Sequence, residues 1–117
     1  MKYLMTQDEF EQLIGRQPVP DGTTLPHFTI IYFGATWCGP CQRLDMAALE
    51  AALPQVNWLK CDIDQNKYTP GFCGIRSIPS FLAVVDKKII GPLQSSDTNK
   101  VHAWVQTLLE DAVEPRD

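Results

Sequence analysis

The sequence predicts an α/β domain, a central mixed β-sheet flanked by helices on both faces, in the order β-α-β-α-β-α-β-β-α. Three observations carry this. The run Phe28-Thr29-Ile30-Ile31-Tyr32-Phe33 is apolar on both alternating faces, as a central strand covered from two sides must be. Around it, extended and helical segments alternate as βαβ units, whose right-handed crossovers leave only a few topologies. Near the end, Ser80 to Val85 and Lys88 to Gly91 flank Asp86-Lys87 and read as an antiparallel hairpin, although its turn holds neither Asn-Gly nor Asp-Gly.

Taken in order, Lys2 to Met5 reads as a short first strand. Thr6-Gln7-Asp8-Glu9 then offers a capping box for a helix with Phe10, Leu13 and Ile14 on one face, stopped at Gly15. Pro18, Pro20 and Pro26, with Asp21-Gly22 between them, make residues 16–26 a loop. After the central strand, Gly39 to about Leu53 reads as one helix with Leu44, Ala48, Ala51 and Ala52 near one face and Pro54 past its end. Val56 to Ile63 is a strand, and Pro70 and Gly71 make 66–74 a short or irregular helix. Asp97 or Thr98 caps the last helix, whose Val101, Trp104, Val105, Leu108 and Leu109 fall at inward spacing. Residues 1–112 form one domain in this reading, and 113–117 a frayed tail.

At 117 residues the chain is long enough for a core without staples, and at 44% hydrophobic and 21% charged it has the composition of a soluble globular domain. Its net charge of −4, with no basic cluster in the sequence, argues against nucleic acid or an anionic membrane as partner. The N-terminus turns acidic before a signal-peptide core can form, and no apolar run reaches membrane-spanning length. These features lead us to expect a cytoplasmic, reducing location, where four cysteines are catalytic, metal-binding or buried rather than structural disulfides.

Trp37-Cys38-Gly39-Pro40-Cys41 stands between a strand and a helical stretch. Two cysteines three apart in a helical turn can close a small disulfide. Unpaired amides and the macrodipole at a helix start favour a thiolate on the first. Cys38 is therefore the candidate nucleophile and Cys41 the resolving thiol. A bare C-x-x-C is also half of a zinc site, but Cys61 and Cys73 are twelve positions apart and His27 and His102 lie at no ligand-like spacing, so no metal is expected. Cys61 reads as a core residue, and the two histidines as ordinary polar or packing residues.

With Trp37-Cys38-Gly39-Pro40-Cys41, Lys60-Cys61-Asp62-Ile63-Asp64-Gln65-Asn66 and Gly74-Ile75-Arg76-Ser77-Ile78-Pro79-Ser80-Phe81 in this order, the chain resembles the thioredoxin family over about residues 1–112. The resemblance implies the thioredoxin fold and a protein-disulfide reductase with no bound cofactor, recharged from NADPH by a thioredoxin reductase and acting on client proteins. It implies that Pro79 is a cis-proline facing the dithiol, leaving the Ile78 backbone to pair with an extended client strand, and that Trp37 helps form the docking surface. In the family a His between the cysteines goes with oxidants and isomerases, so the resemblance implies that Gly39 and Pro40 mark a reductant. A monomer is expected. Cys73, six residues before Pro79 where some family members carry a surface thiol, is a candidate for regulation, including a redox-dependent dimer.

Several positions depart from the family pattern. The buried Asp that helps deprotonate the resolving cysteine is Tyr32 here, and a phenol cannot act as a base near pH 7. Lys60, which normally accompanies that Asp, then rests on the Tyr32 ring, pairs with Asp62 or points to solvent. Met46 replaces the usual mid-helix proline, which predicts a straighter helix. Gln94-Ser95-Ser96 stands where the family has a client-facing Gly. Asp45, four residues after Cys41 and hence on the same helix face one turn deeper, is a candidate substitute proton acceptor acting through a water. Two further readings follow: an oxidant or isomerase in which slow resolution suits the task, and a non-catalytic binding module.

Overall fold

The computed structural model describes residues 1–113, and in it the apolar run is β2 (Phe28–Gly34), buried along its whole length. It lies between β3 (Asn57–Asp62), which is parallel to it, and β4 (Ser80–Val85), which is antiparallel. β1 (Lys2–Tyr3) extends the sheet beyond β3, and β5 (Lys88–Gln94) beyond β4, so the strand order is β1-β3-β2-β4-β5. The sheet is mixed and the βαβ order is the predicted one.

Alternation along β2 sorts the core into two layers. Ile30 and Tyr32 face Leu49 of α2 (Met46–Ala52), Leu53, and Val101, Val105 and Leu109 of α4 (Thr98–Val113). On the other side, Ile31 and Phe33 pack with Cys61, Leu82 and Val84 against Phe10 and Leu13 of α1 (Gln7–Leu13), beside which α3 (Tyr68–Phe72) lies. Each fully buried side chain of this kind contributes about 1.5–3 kcal/mol relative to exposure, so both layers depend on β2.

Local signals set the ends. The Thr6 hydroxyl accepts the Glu9 amide, while the Glu9 carboxylate accepts the Met5 amide and the Thr6 hydroxyl. Gly15, at φ +79°, turns the chain out of α1 in a conformation that other residues rarely adopt. Asp97 caps α4 by accepting the Asn99 and Lys100 amides. In the hairpin, Asp86 and Lys87 both take positive φ, the geometry that matches strand twist, and Asp is among the few residues that tolerate it. The Asp86 amide donates to the His27 carbonyl, and its carboxylate meets the exposed His27 ring at 2.9 Å.

The predicted helix over 39–53 is not continuous. A single 3₁₀ turn spans Pro40–Arg43, Leu44 is extended, and α2 begins only at Met46. The Asp45 carboxylate accepts the Ala48 amide, and the Asp45 amide donates to the Thr98 hydroxyl at the start of α4. Asp is a far better N-cap than mid-helix residue, and that preference decides the break. The expectation that Met46 would straighten one long helix is therefore overturned: an Asp cap interrupts it. The inward face also differs, for Leu49 and Leu53 are buried whereas Ala48, Ala51 and Ala52 are exposed. Beyond Val113, the expected tail lies outside the described residues.

Candidate active site

Cys38 and Cys41 form a disulfide with their Cα atoms 5.3 Å apart. The 3₁₀ turn after Gly39 brings them together, because Gly39 is already helical and Pro40 supplies a fixed φ without needing to donate. The Cys41 amide donates to Cys38 Sγ at 3.2 Å. That bond favours negative charge on Cys38. A four-residue turn cannot build the dipole of a long helix, so this local amide replaces the helix-start effect the sequence suggested. Both cysteines are buried in the disulfide state, at 3% and 8% exposure. Each sulfur turns toward the other and into the layer of Tyr32, Ala35 and Leu49.

Trp37 is 64% exposed beside them, and its indole N–H donates to the Asp64 carboxylate at 2.7 Å, fixing the ring at the surface. The Ile78–Pro79 peptide bond is cis, as is Gly91–Pro92. Ile78 is half-buried and lines two grooves. One, of about 360 Å³, also holds Trp37, Ile63, Pro70 and Ile75. The other, of about 430 Å³, runs past Pro40 and Pro79 to Gln94-Ser95-Ser96. Trp37, Pro40, Ile78 and Pro79 are thus brought to one face.

The candidate tuning residues are placed differently. Tyr32 is buried and stacked on Phe81, with centroids 5.3 Å apart and planes 19° apart. Burial pushes its phenol above the ordinary value, so it is neutral near pH 7. Its hydroxyl end lies over Gly34, where a Cβ would stand 2.7 Å from Oη. Lys60 reaches over both the Tyr32 and Tyr3 rings, at 5.7 and 5.8 Å. Asp62 accepts the Asp64 amide, and no Lys60–Asp62 ion pair forms among the described residues. Asp45 is exposed at the cap of α2, not stacked below Cys41, because the helix breaks at Leu44.

Cys61 is buried in β3 and Cys73 half-buried at the end of α3, packed against the same layer. Burial, chiefly, pushes each thiol up to about 12, so Cys73 is not the freely exposed thiol the sequence suggested. Among the described residues no three His, Cys, Asp or Glu side chains converge on a possible metal position. No helix among them is long and apolar enough to cross a membrane. Sequence reasoning missed Asp64 as the anchor of Trp37, and Arg43, Lys67, Arg76 and Lys100 as groove residues. Four different segments supply these cations, so no spacing along the chain announces them.

A family model described as Thioredoxin matches residues 3–107. Mitochondrial thioredoxin-3 of Saccharomyces cerevisiae is 30% identical over 81 residues, 68% of this chain and 64% of the relative. Thioredoxin-2 of Pyricularia oryzae is 26% identical over 95 residues, 80% of this chain. The chain thus spans only 64% and 56% of those two relatives. The crystal structure of mitochondrial thioredoxin 3 from Saccharomyces cerevisiae in its oxidized form superposes with a TM-score of 0.78 at 26% identity. It covers 92% of this chain and 94% of that one.

Proposed function

The chain belongs to the thioredoxin family, and from that premise we propose that it is a protein-disulfide reductase. The single observation that carries the reading is the Cys38–Cys41 pair in one turn, with the Cys41 amide on Cys38 Sγ, beside an exposed Trp37.

The Cys38 thiolate attacks one client sulfur, forming a mixed disulfide while the other client sulfur leaves as a thiolate. Cys41 then attacks Cys38 Sγ and releases the second client thiolate. Two electrons pass from the dithiol to the client, and the Cys38–Cys41 disulfide remains. With Tyr32 neutral and Asp45 committed to its cap, the proton leaving Cys41 goes to solvent or to the departing client thiolate. Client backbone pairs at Ile78, and Trp37 covers the exchange. An NADPH-dependent thioredoxin reductase recharges the dithiol, and the chain binds no cofactor of its own. Free Cys61 and Cys73 suit a reducing compartment, the cytosol in our reading, with the protein acting as a monomer.

Insulin reduction with dithiothreitol as electron source tests this for wild type, Cys38→Ser and Tyr32→Asp. Turnover that Cys38→Ser abolishes is the expected result; no turnover by wild type refutes it. The neutral Tyr32 favours one second reading, an oxidant or isomerase that resolves slowly. A redox potential well above that of reducing thioredoxins would select it.

A further inference from the structure

The two grooves beside the dithiol hold four cations. Lys67 and Arg76 line the groove that contains Trp37, and Arg43 and Lys100 line the one that contains Pro40. These are four of the ten Lys and Arg residues of a chain whose net charge is −4. All four are exposed, and none has a carboxylate within ion-pairing distance among the described residues. Among the described residues that line the two grooves, Asp97, which caps α4, is the one carboxylate, so the linings carry four cations and one anion. Asp64, which accepts the Trp37 indole, Asp62 beside it, and Asp45, whose amide meets the Thr98 hydroxyl, stand outside the linings. The second groove is otherwise polar along Gln94-Ser95-Ser96, with apolar contact only at Pro40, Ile78 and Pro79.

A positive face on a negative chain orients its encounters. Acidic segments are drawn to that face and basic ones are repelled, because a concave site concentrates the field of the charges at its rim. Guanidinium groups such as Arg43 and Arg76 also match a carboxylate with two parallel donors. Building on the reductase reading, we propose that this chain selects client proteins whose disulfide is flanked by Asp or Glu. The acidic segment lies across Ile78 with its carboxylates toward Arg43 and Lys100 on one side and Lys67 and Arg76 on the other. The exchange is unchanged: two electrons pass to the client disulfide and Cys38–Cys41 becomes oxidised. What the cations set is the rate at which acidic clients are captured.

Two synthetic peptides with the same disulfide test this, one flanked by Glu pairs and one by Lys pairs. Fully reduced protein is mixed with each in a single turnover. At an ionic strength of about 0.01 M the Glu peptide should be reduced at least tenfold faster, and at about 1 M the ratio should approach one, as the Debye length falls from roughly 30 Å to 3 Å. Combining Arg43→Glu with Lys100→Glu should bring the low-salt ratio to one or below. Lys88→Glu, the same kind of charge change at an exposed β5 position outside both grooves, should leave the ratio in place. Equal rates for the two peptides at low salt overturn the proposal and leave the reductase reading standing. If neither peptide is reduced, the reductase reading fails. Fluorescence anisotropy with non-reducible thioether analogues then decides the proposal alone: salt-sensitive preference for the Glu analogue supports it, and equal binding removes it.

Discussion

Gly34 and Tyr32 are a matched pair, and Gly34→Ala should expose the match. They point to the same side of β2, and the Tyr32 ring lies along the strand over the bare glycine. A Cβ on Gly34 would stand 2.7 Å from Oη and 2.8 Å from Cζ, where ordinary contact begins at 3.4 Å. The ring would therefore have to retreat by about 0.6–0.7 Å to relieve the steric overlap, because 2.7–2.8 Å lies well inside the distance of optimal contact. Phe81 is stacked on it and both residues are buried, so the ring moves only by straining this layer. Overpacking of this kind costs about 1–3 kcal/mol. With a urea m-value of about 1–3 kcal/mol/M, the unfolding midpoint should fall by roughly 1 M. Tyr32→Val removes the ring at its own cost, and in that background Gly34→Ala should be neutral or stabilising by about 0.5 kcal/mol, since glycine weakens a strand. The cycle should then show a coupling of at least about 1 kcal/mol. An equal loss on Gly34→Ala in both backgrounds would refute the reasoning.

Asp45→Ala should cost about 1 kcal/mol in urea unfolding through loss of the α2 cap, whereas Asp45→Asn should change stability little and leave release of a mixed disulfide at its wild-type rate. Trp37→Phe removes the hydrogen bond to Asp64 while keeping a ring; stability should fall by no more than about 1 kcal/mol, because the bond is exposed, and kcat/KM for insulin reduction should drop. In the reduced, folded protein at pH 8, Cys38 should be alkylated by iodoacetamide well before Cys61 or Cys73, and mass spectrometry should find all four thiols labelled only after unfolding. Cys61 and Cys73 have folded pKa values raised above the unfolded ones. Their contribution to stability is therefore complete below an unfolded value near 8.5 and is lost as pH rises toward about 12, which urea unfolding of the wild type against Cys61→Ala from pH 7 to 10 would detect as a smaller pH slope in the variant.

Periodicity and capping chemistry made most of the fold legible before any coordinates. β2 announces itself by being apolar on both faces, the Thr6/Glu9 box and Gly15 bound α1, and Asp97, one of the two cap candidates at 97–98, caps α4. The dithiol was legible because a short motif places both cysteines by local geometry alone. The break at Leu44 is hidden in the sequence, although Asp45 followed by Met46-Ala47-Ala48 is a helix start as good as Thr6. Helical spacing from 39 to 53 fitted one long helix well enough to mask it. The burial of Cys38, the Trp37–Asp64 bond and the four groove cations depend on segments distant in sequence, and periodicity carries no information about such meetings.

The altered tuning residues form one connected change. A carboxylate at position 32 would pair with Lys60 across the β2–β3 ladder, where Tyr32 and Lys60 are register partners. With a phenol there, the half-buried ammonium keeps an attractive partner in the rings of Tyr32 and Tyr3. The larger ring needs space, which Gly34 leaves two residues along. Tyr32→Asp alone would therefore restore the charge partner while leaving a void over Gly34 and beside Phe81. Its stability should fall, and a gain in the rate of mixed-disulfide resolution would have to appear despite that loss. Measuring both in the same variant separates proton transfer from packing: faster resolution with lower stability assigns the missing carboxylate a chemical role, and unchanged resolution assigns Tyr32 to the core alone.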